Sequence, residues 1–485
     1  MTLPPALVRR SLDAHSAIGL VVGALMYLIC LTGTLAALAE SFERWEQPLI
    51  EEMQTLPDAA LSQALQQYRA HRALAAGDAA PLPESIWLIL PTEAIPRMHL
   101  SDGSDEWFTD RQGNFLEPPQ ATWTEMLRHL HIKLLLPDNI GFTLVSALGV
   151  MLLALIISGL LAHPRLFRDA FKFRRGGARR LEQADLHNRL SVWGLPFHLM
   201  IAITGAFYGL VGVLVISAAA IFYGGDHNAL FEEVYGPDPV LDAPVQAVDP
   251  ARAMQNLRSV APDASPLYLV VHNIDSRAQF MEIAAALPGR LAFSEIYRFD
   301  AAGHFLGDQG LTSGPWGRQY LYSLYRIHFG YFGGYLTRVI WALLGLSLTV
   351  VSATGVNIWL ARRGKGDWAD HAWIGVVWGL PAALAASALA SLAWQLSPEW
   401  TLAAVWLGSL GFCLWRKSLA GCRQLLQTLS GVLMIGIALW HWLSFSSWAA
   451  VGDWINVGLL IGGVVLLVMG LRRSADRTVA TSSAV

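Results

Sequence analysis

The chain has 485 residues, of which 54% are hydrophobic and only 15% are charged. This composition is typical of a polytopic membrane protein and argues against a soluble globular one. The formal net charge of -3 gives no sign of a nucleic-acid partner, and we expect none.

Eight apolar runs are long enough, or nearly long enough, to cross a bilayer as helices. They are residues 17–39, 141–162, 189–222, 336–360, 372–394, 400–415, 425–443 and 454–471, and the sixth is the weakest. The predicted fold class is therefore a polytopic α-helical membrane protein with about eight transmembrane helices. No convincing small-residue cleavage site closes the first run, so we predict that residues 1–39 remain as the first span.

Basic residues predict the orientation of these helices. Lys and Arg precede the first run and follow the second, fourth, sixth and eighth, whereas the turns 395–400 and 444–451 contain neither. The positive-inside rule then places both termini in the cytoplasm, together with a basic loop at 163–188 and a tail at 472–485.

Two long polar segments, residues 40–140 and 223–335, are predicted to be small extracytoplasmic α+β modules. Each closes on a strand-turn-strand pattern, at 107–116 and 297–306, in which Gly occupies the third position after Asp, as a tight hairpin turn requires. Earlier strand candidates are 86–90 and 267–271.

The order of helix, outer module and helix occurs twice. This predicts an internal duplication that is followed by four further helices at 372–471. Repeats of this kind place function at the interface between the two halves.

Two histidines occupy the same place in two copies of one helix pattern. The interval in the sequence from His15 to Thr32 equals the interval from His187 to Thr204, and a glycine follows each threonine. With about 1.5 Å of rise per residue, each histidine is expected at the cytoplasmic surface, below a helix of equal depth.

A second pair of histidines follows the two modules. The interval from His131 to Ser158 is nearly the same as the interval from His328 to Thr354, and again a glycine follows each hydroxyl residue. Each of these histidines precedes a span that returns to the cytoplasm, so both are expected at the outer face.

Each surface thus offers two imidazoles, and a neutral imidazole is a ready axial ligand for haem iron. We predict one six-coordinate, bis-histidine haem at each face, suited to electron transfer rather than to oxygen binding. A single interfacial histidine is more often an anchor or a surface residue, and a repeat can preserve a structural histidine. The recurrence of four at equivalent positions favours ligands.

Two other histidines compete for these roles. His198 lies about three helical turns after His187 on the same helix face, and an ionisable group at that depth is a functional candidate. It is predicted to replace His187 as the inner ligand, to hydrogen-bond a haem propionate, or to be satisfied by a neighbouring helix. His129 is the rival of His131 if the predicted helix register is wrong.

The cofactor type follows from motifs that the sequence lacks. The three cysteines are Cys30, Cys413 and Cys422, and no Cys-x-x-Cys-His is present, so c-type haem is excluded and two haem b are expected. Walker, dinucleotide-binding and iron–sulfur patterns are also absent. The electron donor is therefore predicted to be a quinol or a cytoplasmic reductase.

These motifs, in their order and spacing, resemble the PepSY-associated transmembrane family, also described as iron-regulated membrane proteins. The resemblance rests on the phrases around His15, His131 and His187 and on the ending Thr354-Gly355…Trp359…Arg362-Arg363. It covers roughly residues 10–363, and the helices at 372–471 depart from the family's shortest form.

The resemblance implies PepSY-like periplasmic modules, a bacterial inner-membrane location and a di-haem reductase that releases Fe(II) from ferric siderophores at the periplasmic face. The family histidines carry over onto His15, His131, His187 and His328, and not onto His198. An aromatic and cationic stretch at 316–326 is a candidate dock for the ferric chelate, although it also suits a membrane-interface belt.

Two other function classes remain at this point. One is a non-enzymatic binding or sensory protein whose modules engage a periplasmic partner, with structural histidines. The other is a transporter, against which the spans lack a Pro- or Gly-broken pair with matched carboxylates.

Overall fold

The computed structural model describes residues 3–76, 83–171, 179–445 and 450–482. Parts of the predicted basic loop (172–178), of the turn at 444–451 (446–449) and of the tail (483–485) lie outside the described residues. The chain forms two compact units. A helical unit contains Met1–Pro48, Ala121–Leu210 and Tyr335–Val485, and a sheet unit contains Leu49–Gln120 and Val211–Gly334.

Helices account for most of the described chain. They are α1 (Pro5–Ala36), α2 (Ala39–Glu46), α3 (Asp58–Ala76), α4 (Thr122–Lys133), α5 (Asp138–Ala162), α6 (Leu166–Asp169), α7 (Arg179–Trp193), α8 (Leu195–Phe222), α9 (His227–Tyr235), α10 (Pro250–Val260), α11 (Trp316–Phe329), α12 (Gly334–Arg363), α13 (Trp368–Trp394), α14 (Pro398–Trp415), α15 (Leu419–Ser444) and α16 (Ala450–Ser482). The strands are β1 (Ser85–Ile89), β2 (Met98–Ser101), β3 (Glu106–Thr109), β4 (Ser265–His272), β5 (Phe280–Ala286), β6 (Glu295–Asp300) and β7 (Phe305–Asp308).

Seven helices in the described residues are long and apolar enough to cross a membrane, so the chain is a multi-pass membrane protein. They are α1, α5, α8, α12, α13, α15 and the segment Gly452–Arg472 of α16. Seven of the eight predicted spans are thus found among the described residues. The difference is α14, which has only 18 residues and begins with the polar sequence Pro398-Glu399 before its apolar part.

Two further boundaries differ from the prediction. The predicted span 189–222 is interrupted at Gly194, where α7 ends and α8 begins, next to Pro196. A proline lacks the backbone N–H that a continuous helix would use. The predicted tail at 472–485 instead continues as part of α16 as far as Ser482.

Helices α1, α5, α8 and α12 share one apolar core in the helical unit. Small residues allow their backbones to approach closely, as is common between membrane helices. A Cβ atom added at Gly149 of α5 would lie 2.8 Å from the backbone nitrogen of Ala206 in α8. One added at Gly209 of α8 would overlap Ser146 of α5.

The sheet unit contains one antiparallel sheet with the strand order β3-β2-β1-β4-β5-β6-β7. Strand β1 from the first predicted module pairs with β4 from the second, with Ile86 opposite Val271 and Leu88 opposite Leu269. Helices α3 and α10, one from each module, contribute to the same apolar core as these strands. The two modules were predicted separately, but they form a single domain. Segments 40–48 and 121–140 of the first module belong to the helical unit.

The predicted turns are both present, and they match in detail. Gly113 and Gly303 have φ of +88° and +83°, and each donates its backbone N–H to the carbonyl of the preceding Asp of its turn at 3.0 Å. The second turn joins β6 to β7, as predicted. After the first turn the strand is reduced to a single bridge between Thr109 and Phe115.

A buried carboxyl group from α2 caps the N-terminus of α4. Glu46 accepts hydrogen bonds from the backbone nitrogens of Trp123 (3.0 Å) and Thr124 (2.7 Å), and a further one from the Thr124 hydroxyl. Burial raises the pKa of Glu46 to about 7, although these hydrogen bonds oppose the rise.

This raised pKa predicts a pH-dependent contribution to stability. Because the pKa of Glu46 in the folded state lies above its unfolded value, the contribution is complete below the unfolded pKa of about 4.3 and is lost as the pH rises through about 7. Between pH 5 and pH 8 the loss should approach about 3 kcal/mol. Thermal unfolding in detergent at pH 5 and pH 8 should show a smaller pH-dependent loss for Glu46→Gln, whose amide does not ionise. Equal losses in the two proteins would contradict the prediction.

Candidate functional site

His15 and His187 lie together in the helical unit. Their ring centroids are 6.2 Å apart, and the ring planes are 82° from parallel. His15 comes from α1 and His187 from α7, so two segments that are distant in the sequence supply the pair. Both side chains are half-buried.

The two rings are anchored in the same way. His15 Nδ1 donates to the carbonyl oxygen of Leu155 in α5 at 2.9 Å and lies 3.2 Å from the hydroxyl of Ser158. A carbonyl only accepts, so the proton is on Nδ1 and Nε2 keeps its lone pair. This is the tautomer of a histidine that binds a metal through Nε2.

His187 repeats this arrangement against α12. Its Nδ1 donates to the carbonyl of Val351 at 3.0 Å and lies 3.2 Å from the hydroxyl of Thr354. Burial and the neighbouring His15 imidazole lower the pKa of His187 to about 4, so the ring is neutral at pH 7. A neutral ring with a free Nε2 is the form that ligates iron.

His131 shows the pattern a third time, against α1. Its Nδ1 donates to the carbonyl of Ile29 at 3.1 Å and lies 3.5 Å from the hydroxyl of Thr32. Burial lowers the pKa of His131 to about 4, so this ring is also neutral at pH 7. Ile29 lies about four turns beyond His15 on α1, which separates the two positions by about 21 Å along the helix.

A glycine follows each of these hydroxyl residues and leaves space for the ring. A Cβ atom added at Gly33 would lie 2.5 Å from Cε1 of His131. The corresponding distances are 3.2 Å from Gly159 to His15 and 3.5 Å from Gly355 to His187. The sequence pattern identifies these hydroxyl-glycine pairs as landmarks of the repeat. It does not predict that the histidine rings pack against these glycines, or that each Nδ1 atom donates to the carbonyl group one turn before them.

Helix α8 carries a fourth hydroxyl-glycine pair, Thr204-Gly205. The Thr204 hydroxyl donates to the carbonyl of Met200 at 2.7 Å and lies 3.4 Å from that of Ile201. Thr32 has the same two contacts within α1, at 2.9 and 3.3 Å. His328, the fourth predicted ligand, lies in α11 of the sheet unit and is half-buried. Its pairing with His131 stays a prediction.

His198 is arranged differently from these histidines. It is only 2% exposed, and its Nε2 has no hydrogen-bond partner in the part of the chain that the structure describes. The ring lies against Gly194 at the α7–α8 junction, where an added Cβ atom would be 2.5 Å from Cε1. This arrangement favours His187 as the inner ligand and leaves His198 as a buried polar group near it.

The remaining candidates have local partners. Nε2 of His129 lies 2.8 Å from a carboxylate oxygen of Glu125, one turn earlier on α4. In the predicted chelate dock, Arg318 donates to the carbonyls of Gln309 and Glu233, and Arg326 donates to that of Arg290. These two cations therefore hold α11 within the sheet unit.

Within residues 3–76, 83–171, 179–445 and 450–482, no group of three or more His, Cys, Asp or Glu side chains is arranged to hold a metal ion. A b-type haem needs fewer protein ligands, because the porphyrin supplies four nitrogens and the protein only the axial pair. The His15–His187 pair meets that requirement.

Comparison with known proteins agrees with the sequence pattern. The family described as the PepSY-associated TM region matches residues 12–362. An uncharacterized protein of Pseudomonas aeruginosa is 32% identical over 321 residues, which are 62% of this chain and 79% of that protein. The family match begins just before His15 and ends within α12, so it includes all four predicted ligands and excludes α13–α16. The chain belongs to the PepSY-associated TM region family.

Proposed function

We propose that this protein is a di-haem b electron-transfer protein that reduces ferric siderophore iron at the periplasmic face of a bacterial inner membrane. The observation that carries the proposal is the His15–His187 pair, in which both Nδ1 atoms are anchored and both Nε2 atoms keep their lone pairs. The resemblance to di-haem reductases of the family supplies the reaction type.

The geometry of the pair fits a haem. Two imidazoles that bind one metal ion from opposite sides, with bonds of about 2 Å, have ring centroids about 6 Å apart. The centroids of His15 and His187 are 6.2 Å apart. Bound haem would supply one-electron transfer between iron(III) and iron(II).

The chain's own residues prepare the ligands. The carbonyls of Leu155 and Val351 fix the orientation of the two rings and increase the basicity of Nε2. His131 is prepared in the same way by Ile29, and its partner in the second haem site is proposed to be His328 on the basis of the sequence repeat. The matching anchors of His15, His131 and His187 also support the proposed internal duplication.

Reduction is a reasonable route to iron release. Hard oxygen ligands of a chelate hold Fe(III) more tightly than Fe(II), so a single electron weakens the complex. The Lys and Arg residues that precede α1 and follow α5 support a cytoplasmic position for His15 and His187, and hence an electron donor, quinol or cytoplasmic reductase, on that side.

The proposal predicts about two haem b per chain. Pyridine haemochrome analysis should give this stoichiometry, and acid acetone should extract the haem because no Cys-x-x-Cys-His motif is present. After reduction and removal of excess dithionite, a ferric hydroxamate chelate should reoxidise the protein with release of one Fe(II) per haem. A colourless protein would overturn the proposal and leave a binding protein or a transporter. If the protein contains haem but the ferric chelate does not reoxidise it, only the proposed substrate would be wrong, and the proposal of a haem protein would stand.

A further inference from the structure

Helices α13–α16 lie beyond the residues that the family match includes, which end at 362. We propose that these four helices, which we call the extension, clamp α2 and α4 and thereby position His131 as an axial ligand. The proposal rests on the proposed function for the role of His131, and on contacts within the helical unit for the clamp itself.

The first set of contacts joins α4 directly to α13. The indole N–H of Trp123 donates to the carbonyl of Leu384 at 3.2 Å and to the hydroxyl of Ser387 at 3.1 Å. One residue earlier, the Thr122 hydroxyl lies 2.8 Å from that of Ser391. The start of α4 is thus held by hydrogen bonds to three residues of the extension.

The apolar face of α4 is buried in the same place. Trp123, Met126, Leu127 and Leu130 are all at most 5% exposed and share one core with side chains of α13, α14, α15 and α16. Leu130 directly precedes His131 in the sequence, so packing by the extension reaches the residue next to the ligand.

A second set of contacts holds α2, which caps α4 through Glu46. Trp45 donates its indole N–H to Asn456 of α16 at 2.9 Å, and its backbone carbonyl accepts a hydrogen bond from Nε2 of His441, in α15, at 2.8 Å. Asn456 closes the ring of hydrogen bonds by donating to Nδ1 of His441 at 3.0 Å. All three residues are at most 4% exposed. In the sequence His441 stands between Trp440 and Trp442, which suggest an interfacial aromatic belt. In the structure the His441 side chain is a buried link between α2 and the extension.

Local structure alone would not hold the end of α4 where His131 is found. Leu134 and Leu135, directly after α4, have φ of +56° and +57°, a conformation that residues with a Cβ atom rarely adopt. Such residues persist only where the surrounding structure determines them. Helix α11, which carries His328, instead ends on Gly330 with φ of +74°, where a glycine adopts this conformation freely. The clamp explains why the first half of the repeat tolerates leucines at this point.

Hydrogen exchange of the α4 amides tests the clamp without reference to haem. His441→Leu removes both hydrogen bonds of the imidazole, and we expect exchange in α4 to become about tenfold faster or more. His441→Gln, which keeps one donor and one acceptor, should restore slow exchange. A double variant, Ser387→Ala with Ser391→Ala, removes hydrogen-bond partners of Trp123 and Thr122. It is a smaller change and provides the same test if His441→Leu does not fold.

The matched control is Cys422→Ala, which creates a cavity in a separate cluster of the extension, around Cys413, Ile374 and Leu426. We expect it to leave α4 exchange unchanged. In haem-loaded protein, His441→Leu and the double serine variant should shift the spectrum and the midpoint potential of one haem and leave the other unchanged. Unchanged α4 exchange, or equal shifts in both haems, would overturn the clamp. Absence of haem would overturn the proposed function and leave the exchange result to decide the clamp.

Discussion

Replacing His187 with Ala is expected to halve the haem content, from about two to about one per chain. In the proposed inner site His187 would supply one of the two axial ligands, and only His15 of the pair would remain to bind the iron. Removal of an axial ligand should abolish the six-coordinate, low-spin spectrum of that haem. Pyridine haemochrome analysis and the visible spectrum of the purified variant measure both effects. His15→Ala should give the same result, because the two rings act as a pair.

His198→Ala is the matched control for this experiment. His198 is near His187, but no carbonyl of the described residues anchors its Nδ1 as carbonyls anchor those of His15, His131 and His187, so the variant should retain two haems. A shifted midpoint potential without loss of haem would indicate that its Nε2, which has no hydrogen-bond partner among the described residues, forms a hydrogen bond with a porphyrin carboxylate. Loss of one haem in His198→Ala, with His187→Ala nearly unchanged, would show that the ligand lies deeper in the bundle.

The sequence predicts the pairing of His15 with His187 because the proposed internal duplication places them at equivalent depths on two helices. The period of a helix fixes depth along its axis, but it does not determine which neighbouring helix supplies a carbonyl to each ring. That choice depends on packing among α1, α5 and α12. The contacts to Leu155, Ile29 and Val351 therefore become visible only in the structure.

The sheet unit shows the same limit. The hairpin turns around Gly113 and Gly303 are predictable because a positive φ at a glycine is a local requirement. The pairing of β1 with β4 joins strands that are distant in the sequence. The alternation of side chains predicts which face of each strand is buried, but it does not determine which strand lies beside it. The merger of two predicted modules into one domain is therefore a tertiary property that local patterns do not encode.

The break at Gly194 has a different cause. Leu195-Pro196 occurs inside an apolar run, and hydropathy does not register the missing N–H of proline. At this break Gly194 has no Cβ atom, and this leaves the space in which the His198 ring lies. The sequence predicts an unbroken helix here, and it leaves three roles open for His198: an axial ligand, a hydrogen-bond partner of a haem propionate, or a structural residue satisfied by a neighbouring helix.

Gly33→Ala should disturb the outer haem more than the equivalent changes disturb the inner one. A Cβ atom at position 33 would lie 2.5 Å from Cε1 of His131, a separation that real structures do not tolerate, so the ring or α4 must move. At Gly159 the nearest ring atom is 3.2 Å away, so a small adjustment suffices, and at Gly355 it is 3.5 Å away, which is an ordinary van der Waals contact. The expected order of damage to the low-spin spectrum is therefore Gly33→Ala, then Gly159→Ala, then Gly355→Ala.

Helix propensity cannot produce this order, because Gly→Ala in a helix interior by itself stabilises the helix by about 1 kcal/mol. Gly436→Ala in α15 is the control, since an added Cβ atom there meets no side-chain or distant backbone atom within 4 Å. It should leave both spectra unchanged and leave thermal stability equal or slightly higher. Equal losses of the low-spin spectrum at positions 33, 159 and 355, or a greater loss at 355, would show that these glycines do not determine the positions of the histidine rings. The expected order would instead show that each histidine ring keeps its position because the glycine on the facing helix has no Cβ atom.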